Sequence, residues 1–392
     1  MICLIPNIGS TSFNYRVLKM PEETVLANGR VERIGQPGGD CADYPSAIRK
    51  CIDDVAGPGK ALKSLSEIEA VGFKAVLAGA ISGARLVNDE LLSAMEEFSF
   101  FAPAHNPPYI AAMKAFRNEL PGVPLVAVFE TTPYATLDAV ATTYAVPYEW
   151  RTEFGIRRYG FHGASHRAAS ENVRKQFKNK PGLRHISCHL GGSSSIAAFR
   201  DGVAIDTSFG TSPQSGLPQN NRVGEIDAFA VLYMMKKLGV GPDEMARILG
   251  SHSGLAGISG TSGDMRDLDE AVAAGSSRAR LALDVYVRAI RHYLGAFILE
   301  LDGVDAISFS GGIGENSWET RAAVCRNLAA FEIEIDEAAN RAARTAQVIS
   351  ARTSAVTVLI VPADEESVVA RDTVSVVEQC AVKRAILTEA VR

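Results

Sequence analysis

The stretch ISFSGGIGEN, residues 307–316, reads as an apolar strand that stops at paired glycines and continues through a third. Apolar residues at helical spacing in residues 276–300 predict a helix before this strand. After the glycines, residues 316–319 could cap a further helix. A helix, a strand, a glycine turn and a second helix in succession are typical of an α/β fold.

A strand that ends in a glycine and serine turn occurs twice more. Residues 2–17 read as a strand, the turn NIGSTS and a second strand, and residues 185–202 repeat the pattern around HLGGSSS. Gly9 and Gly191 stand 182 residues apart in a chain of 392, which suggests two related halves. The alternative is that such turns are simply common.

Length and composition limit the class of protein. A chain of 392 residues is long enough for two domains, and its net charge of −5 without a Lys/Arg block disfavours nucleic acid or membrane partners. The six cysteines are scattered without a CxxC pair, which favours reduced thiols in the cytoplasm over a disulfide or zinc framework. Neither a signal peptide nor a membrane-spanning stretch is expected.

The three glycine turns suit phosphate groups. Exposed backbone N–H groups and helix N-termini bind phosphate, and glycine permits close approach. The three turns could equally be ordinary strand ends. The chain lacks both G-x-x-x-x-G-K-[ST] and G-x-G-x-x-G, which disfavours a P-loop NTPase and a standard dinucleotide-binding domain.

Several segments together resemble the acetate kinase family, within the wider group of sugar kinase, actin and heat-shock ATPase folds. They follow the family's order over nearly the whole chain: NIGSTSFNY, FAPAHNPP, GIRRYGFHGASHR, CHLGGSSSIAAFRDGVAIDTSFG, GLAGISGTSGDMRDLDEA, SGGIGENSWETRAAVCRNL and VPADEESVVARDT. The resemblance implies an α/β protein with two duplicated ribonuclease-H-like domains, the actin-like ATPase fold, with an active-site cleft between domains. Domain I would comprise residues 1–131 plus 368–392, and the nucleotide-binding domain II would comprise residues 132–367. A homodimer is also implied.

The implied reaction transfers the γ-phosphoryl group of ATP to a short-chain carboxylate, giving an acyl phosphate and ADP, with Mg²⁺ or Mn²⁺. Arg222 matches the family's transition-state arginine, although an ion pair with Glu225 or Asp227 is the alternative for an arginine in this sequence context. The other matched catalytic residues are His162 and Glu130, and the matched metal-binding residues are Asn7 and Glu365.

The glycine turns and the GDMRD segment supply the candidate nucleotide and phosphate contacts. These residues are Ser10, Ser12, Asn14, His189, Gly191, Gly192, Asp264, Met265, Arg266, Gly311, Gly312, Ile313, Gly314, Glu315 and Asn316.

The chain departs from the family pattern where chemistry is expected. The family's strand HRVVHGG is FKAVLAG here, so Lys74 replaces the arginine that clamps the substrate carboxylate, and Phe73 and Leu77 replace histidines. Glu130 replaces the catalytic aspartate, and the positions of a lysine and an asparagine hold Asn14 and Gly192. Arg222, His162 and SGGIGEN are retained, so this pattern predicts a working phosphotransferase with an altered acceptor pocket that takes a carboxylate other than acetate. The residues predicted to line that pocket are Phe73, Lys74, Leu77 and Ala78.

Two alternatives remain from the sequence. The same scaffold could use another phosphoryl donor, such as pyrophosphate. The chain could also be a catalytically weak nucleotide-binding regulatory protein. The changes at Lys74, Glu130 and Asn14 favour this alternative, whereas Arg222, Asn7 and Glu365 disfavour it.

Overall fold

The computed structural model describes residues 1–9, 12–35 and 38–390. Its described residues form two compact units, Met1–Ala135 with Asp364–Arg392, and Thr136–Ala363. The strands are β1 Ile2–Ile8, β2 Phe13–Lys19, β3 Thr24–Val31, β4 Ala70–Ala75, β5 Ala84–Leu86, β6 Leu125–Phe129, β7 Arg184–Leu190, β8 Ser194–Arg200, β9 Val203–Thr207, β10 Ala306–Ser310, β11 Gln347–Val348 and β12 Thr357–Ile360.

Helices flank the strands in both units. They are α1 Tyr44–Val55, α2 Asp89–Glu97, α3 Asn106–Glu119, α4 Ala139–Thr142, α5 Glu149–Thr152, α6 Gly163–Gln176, α7 Ala228–Leu238, α8 Pro242–Ser251, α9 Gly254–Ser259, α10 Met265–Ala273, α11 Ser277–Glu300, α12 Gly311–Asn316, α13 Trp318–Val324, α14 Glu337–Ala342 and α15 Glu365–Ala390.

The two units repeat one sheet topology. Among the described residues, the first sheet has the strand order β3-β2-β1-β4-β6-β5 and the second has β9-β8-β7-β10-β12-β11. Pairing directions match as well: β1 with β4 and β7 with β10 are parallel, whereas β1 with β2 and β7 with β8 are antiparallel. The duplication suggested by the glycine turns is therefore confirmed, as is the duplicated ribonuclease-H-like arrangement of the actin-like ATPase fold.

The first unit is built around a sheet covered on both faces. Val71, Phe73 and Ala75 alternate along β4 toward the core shared with α1 and α3. On the other face, α15 contacts β1, β4 and β6, and a side chain added at Gly72 would collide with Thr373 of that helix. Because side chains alternate along a strand, Lys74 lies on the same face as Gly72.

The second unit places the 307–316 stretch at the end of a buried strand. Every residue of β10 is buried, and the preceding helix α11 begins after the N-cap Ser276, as the sequence predicts. The Ser317 side chain caps α13, which confirms the predicted cap. The glycine stretch is not the expected loop, however, because Gly311–Asn316 forms the short helix α12.

Side-chain hydrogen bonds explain why the glycines coil. The Gly311 N–H donates to Glu315 Oε1 at 3.0 Å, and Asn316 Nδ2 donates to the Gly312 carbonyl at 2.9 Å. The buried Arg321 donates to the carbonyls of Gly314 and Glu315, each at 2.9 Å. Periodicity of apolar residues does not report such contacts, so the sequence pattern predicted a loop.

The described helices and cysteines carry two further observations. None of the helices in the described part of the chain combines the length and apolar character needed to cross a membrane. All six cysteines carry free thiols.

Candidate active site

The second unit brings two of the glycine turns together. β7 and β10 are parallel neighbours, with Ser310 in register with His189, so both strands end at the same edge of the sheet. A side chain added at Gly191 would lie 3.8 Å from the Gly312 nitrogen and 4.0 Å from His189 Nε2. The turn after β7, the start of α12 and the His189 ring therefore face one small space.

Gly311 meets a strict backbone requirement at this edge. Its φ is +76°, and an added Cβ would lie 2.7 Å from the Leu190 carbonyl oxygen. At Gly312, by contrast, an added Cβ would meet no atom of the described residues within 4 Å, apart from its chain neighbours and the backbone of its own helix. The first glycine allows the turn, and the second leaves open space beside it.

That open space belongs to a cavity of about 510 Å³. Such a volume suits a small ligand. The predicted nucleotide residues that line it are Gly191, Gly192, Asp264, Met265, Arg266, Gly312, Ile313 and Asn316. The cavity is also lined by four residues that were not among the predicted nucleotide contacts: Asn220, Asp269, Ser317 and Glu319.

Other predicted phosphate residues hold the backbone in place. Glu315 Oε1 accepts hydrogen bonds from the N–H groups of Gly311 and Ala363, both at 3.0 Å. A Cβ added at Gly314 would lie 3.4 Å from the backbone of Phe309. Glu315 and Gly314 therefore support helix α12 and do not line the cavity.

An ion pair frames one wall of the cavity. The Arg266 guanidinium donates to Asp264 through Nε at 3.0 Å and through a terminal nitrogen at 2.8 Å. These bonds and the Arg266 N–H lower the pKa of Asp264 to about 2. Asp264 also caps α10, so its position is set by the helix that follows.

Arg222 reaches the turn after β7. One terminal nitrogen donates to Ser193 Oγ and Gln219 Oε1, both at 3.3 Å, and burial lowers the pKa of the guanidinium. Asp227 instead caps α7, and no carboxylate in the described ranges pairs with Arg222. The ion-pair alternative is therefore wrong, and the half-buried Arg222 cation donates to neutral oxygens at the turn that holds Gly191 and Gly192.

Two more predicted residues lie in this part of the unit. The rings of His162 and His189 have centroids 4.3 Å apart. His162 has a φ of +56° and precedes α6 as its N-cap residue. Its Nδ1 is 2.8 Å from Ser195 Oγ, and His189 Nδ1 is 2.7 Å from Ser165 Oγ.

The first unit gathers the predicted acceptor and metal residues around Lys74. Its Nζ donates to Glu365 Oε2 at the start of α15. Burial lowers the pKa of Lys74, but the carboxylates of Glu365 and Glu130 more than offset this effect and raise it. Glu130 follows β6, which is the parallel neighbour of β4, and its N–H donates to the Ala75 carbonyl at 2.8 Å.

Tyr109 connects this cluster to Asn7. Its hydroxyl accepts the Ile8 N–H at 3.1 Å and lies 3.5 Å from Asn7 Oδ1. Burial raises the pKa of Tyr109 to about 12, so the hydroxyl keeps its proton at neutral pH. Tyr109 could not be predicted from the sequence, because a tyrosine within a helix carries no motif.

The other residues predicted to bind the acceptor or phosphate lie in different parts of the first unit. Phe73 is fully buried and packs edge-on against Phe116, on the opposite face of β4 from Lys74. Leu77 is also fully buried, and its carbonyl accepts a hydrogen bond from Asn106 Nδ2 at 2.8 Å. Asn14 pairs with Asn7 in the sheet. Ser12 accepts the Gly9 N–H through its carbonyl, and Ser10 lies outside the described residues.

The oxygen atoms of Asn7 and Glu365 fit Mg²⁺ only if phosphate groups and water supply its other ligands. Asn7 and Glu365 offer an amide and a carboxylate, yet no cluster of three or more His, Cys, Asp or Glu side chains in the described chain could hold a metal ion. Mg²⁺ commonly keeps several waters and binds through one or two carboxylates plus phosphate groups. The residues present therefore fit an ion carried largely by a nucleotide and water.

Comparison with known proteins identifies the family of the chain. The sequence model of the Acetokinase family matches residues 2–371. The acetate kinase of Thermosipho africanus is 40% identical over 404 residues, covering 97% of this chain and 98% of the relative.

Solved structures agree over a similar length. The crystal structure of Porphyromonas gingivalis acetate kinase has a TM-score of 0.87 and 34% identity, with 96% of this chain and 99% of that chain covered. A propionate kinase from Francisella tularensis also has a TM-score of 0.87, at 29% identity, covering 95% of this chain and 99% of that chain. The chain therefore belongs to the acetokinase family, the kinases that use a carboxylate as acceptor.

Proposed function

We propose that the protein transfers the γ-phosphoryl group of ATP directly to a short-chain carboxylate and releases an acyl phosphate and ADP. The observation that carries this proposal is the half-buried Arg222 guanidinium, held by neutral oxygens at the turn of Gly191 and Gly192. A guanidinium without a carboxylate partner can stabilise the charge on the equatorial oxygens of a transferring phosphoryl group.

The other proposed roles are those that the family resemblance implies for residues of each unit. Backbone N–H groups of the Gly191 and Gly312 turns would receive phosphate oxygens, and His162 and His189 would donate hydrogen bonds beside them. Asp264 and Arg266 would contact the nucleoside at the cavity wall. Asn7 and Glu365 would hold Mg²⁺ through water, and the ion would neutralise phosphate charge when bound.

The domain assignment from the sequence is part of this proposal. Residues 132–367 would form the nucleotide-binding domain, and residues 1–131 with 368–392 would form domain I. Domain I would bind the acceptor near Lys74 and use Glu130 as the catalytic carboxylate. We further propose that the protein works in the cytoplasm, consistent with its six free thiols.

We infer that the acceptor differs from acetate. Lys74 is engaged with Glu365, so its ammonium offers a single point charge that is already partly neutralised. The bidentate fork that an arginine would present to a carboxylate is absent. An acceptor with a further polar group, such as a hydroxy acid, could bind Glu130 or Tyr109 and so replace the contacts that an arginine at position 74 would make.

The direct test is ADP release from Mg–ATP across formate, acetate, propionate, butyrate, hydroxy acids and amino acids, with hydroxylamine to trap acyl phosphate. Trapped product from a substituted acid at a kcat/KM well above that for acetate is the expected result. Efficient turnover of acetate would refute the altered acceptor. ATP binding without turnover would favour the regulatory alternative, and turnover with pyrophosphate alone would favour the other donor.

The nucleotide site gives a first prediction. Gly312→Leu should fold normally, because an added Cβ meets no atom within 4 Å in the described part of the chain beyond its neighbours and its own helix backbone. Its side chain would extend into the cavity of about 510 Å³, and we expect ATP to bind at least about 10-fold more weakly, a loss of 1.4 kcal/mol or more. Calorimetric titration measures the change.

The matched control is Gly295→Leu in α11, where an added Cβ also meets open space. This variant should bind ATP as the unmodified protein does. Equal affinity in both variants and the parent would place the nucleotide elsewhere.

A homodimer is the second prediction. Helix α7 has no buried residue, and its exposed apolar side chains are Phe229, Leu232, Tyr233, Met234 and Leu238. We propose that a second copy of the chain covers them, because exposed apolar groups of this size mark interaction surfaces. Light scattering should report a dimer for the parent and a monomer for the double variant Phe229→Glu, Leu232→Glu.

Phe100 offers a control for that measurement, because it is exposed and apolar but lies in the first unit. Phe100→Glu should remain dimeric. A monomeric parent, or a double variant that stays dimeric, would contradict the proposed interface.

A further inference from the structure

A chain of serine and histidine side chains runs through the second unit to His162. Ser187 Oγ lies 2.8 Å from His166 Nδ1, His166 Nε2 lies 2.8 Å from Ser195 Oγ, and Ser195 Oγ lies 2.8 Å from His162 Nδ1. Ser187, His166 and Ser195 are each fully buried. Burial, with His189 and His185 nearby, holds the pKa of His166 well below its usual value, so this imidazole is neutral.

The hydrogen-bonded series from Ser187 to His162 has only one donor direction in which both serine hydroxyls and the His166 N–H find an acceptor. A neutral imidazole has one donor nitrogen and one acceptor nitrogen, and a serine hydroxyl has one proton. Within the described ranges, Ser187 Oγ has no hydrogen-bond partner besides His166 Nδ1, so its proton goes there. Nε2 of His166 then donates to Ser195 Oγ, and the Ser195 proton goes to Nδ1 of His162.

The other arrangements leave a buried proton without an acceptor. In the reverse direction His166 Nδ1 would donate to Ser187, whose own proton would face no acceptor among the described residues. A positively charged His162 would place a second N–H on Ser195 Oγ and strand the Ser195 proton in the same way. Buried polar groups in native structures are rarely left unsatisfied.

A second serine acts on the neighbouring ring. Ser165 is buried, and its hydroxyl lies 2.7 Å from His189 Nδ1. The Nε2 atom of His189 faces the turn residues Gly191 and Gly312, 4.0 Å from the position of a Cβ on Gly191. A proton donated by Ser165 to Nδ1 leaves the His189 N–H on the side of that turn.

We propose that Ser187, His166 and Ser195 are positioning residues that hold His162 as a neutral imidazole with its proton on Nε2, and that Ser165 does the same for His189. Both rings then present N–H donors to phosphate oxygens, and neither serves as a general base. This inference rests on the proposed phosphoryl transfer. The donors are oriented before substrate binds, which is how fixed dipoles stabilise a transition state.

The first test reads the tautomer in the full-length resting protein, so it does not depend on turnover. Nitrogen-15 NMR of histidine-labelled protein, assigned with His162→Gln, should show His162 Nδ1 as an unprotonated nitrogen and Nε2 as a protonated one. In Ser195→Ala the fixed preference should be lost, and both tautomers or the cation should appear. A parent spectrum with His162 protonated on Nδ1 would overturn the proposal.

The second test separates positioning from folding. Ser308→Ala is the matched control, because Ser308 is a buried serine whose hydroxyl lies 2.8 Å from His185 Nε2, outside the hydrogen-bonded series from Ser187 to His162. With the acceptor found in the panel, Ser195→Ala should lower kcat about 10-fold or more while the KM for ATP changes little, since an oriented donor acts on the transition state. Ser308→Ala should leave kcat and the His162 spectrum unchanged.

Ser187→Ala provides a second test of the proposal if Ser195→Ala fails to fold. It removes the first donor of the chain, so His162 should show a mixture of tautomers and an intermediate loss of kcat. An unchanged His162 spectrum in Ser187→Ala would contradict the direction of the chain. Failure of the proposed function would look different, because the resting spectra would agree with the proposal while no acyl phosphate formed.

Discussion

Replacing Arg222 with alanine is expected to lower kcat for phosphoryl transfer by about 10³-fold while ATP still binds. The guanidinium lies beside the Gly191 turn, and its partners are the neutral oxygens of Ser193, Gln219 and the Pro213 backbone. Its charge is therefore available to the transferring group rather than neutralised within the protein. Steady-state kinetics with the acceptor from the panel gives kcat, and calorimetry gives the ATP affinity.

Arg222→Lys separates charge from shape. Lysine keeps the positive charge but loses the planar fork, so we expect most of the loss in kcat to persist. Arg247→Ala is the control, because that arginine is exposed and pairs with Glu244 on the surface. A decrease of less than 10-fold in Arg222→Ala would show that this residue does not stabilise the transition state.

Much of the fold could be predicted from the sequence because local patterns determine it. Alternating apolar residues in 13–17 predicted β2, and helical spacing in 276–300 predicted α11. The repeat of a strand with a glycine turn predicted the duplication that the matching sheet orders confirm. Helix α12 was not predicted, because Glu315 and Asn316 hold it together by hydrogen bonds that apolar periodicity does not report.

The candidate site was less predictable because it depends on contacts between distant segments. Motifs pointed to Arg222 and to the glycines, but not to Gln219 or Asn220, which adjoin them in space. The serine run 193–195 was visible in the sequence. Its roles emerge only in the structure, where Ser193 contacts Arg222 and Ser195 contacts two histidines. Phe73 was predicted to line the acceptor pocket, but alternation along β4 places its side chain in the hydrophobic core.

Removing the charge of Lys74 is expected to destabilise the first unit strongly. The side chains of Lys74 and Glu365 are 21% and 13% exposed, and Glu130 is buried close by. Lys74→Met would remove the ammonium that pairs with Glu365 and lies near Glu130, and breaking a largely buried pair costs about 3 kcal/mol or more. We expect a lower urea midpoint for the transition of this unit, followed by circular dichroism with fluorescence as a second probe.

A surface pair provides the comparison. Arg117 and Asp89 are 46% and 86% exposed, so Arg117→Met should cost less than about 1 kcal/mol. Lys74→Arg should keep most of the stability, because the charge beside Glu365 remains. It should also raise kcat/KM for acetate relative to the preferred acceptor, since the fork suits a simple carboxylate. Lys74 does not stabilise these carboxylates if Lys74→Met unfolds at the same urea midpoint as the parent protein. Residue 74 does not select the acceptor if Lys74→Arg leaves the acceptor preference unchanged.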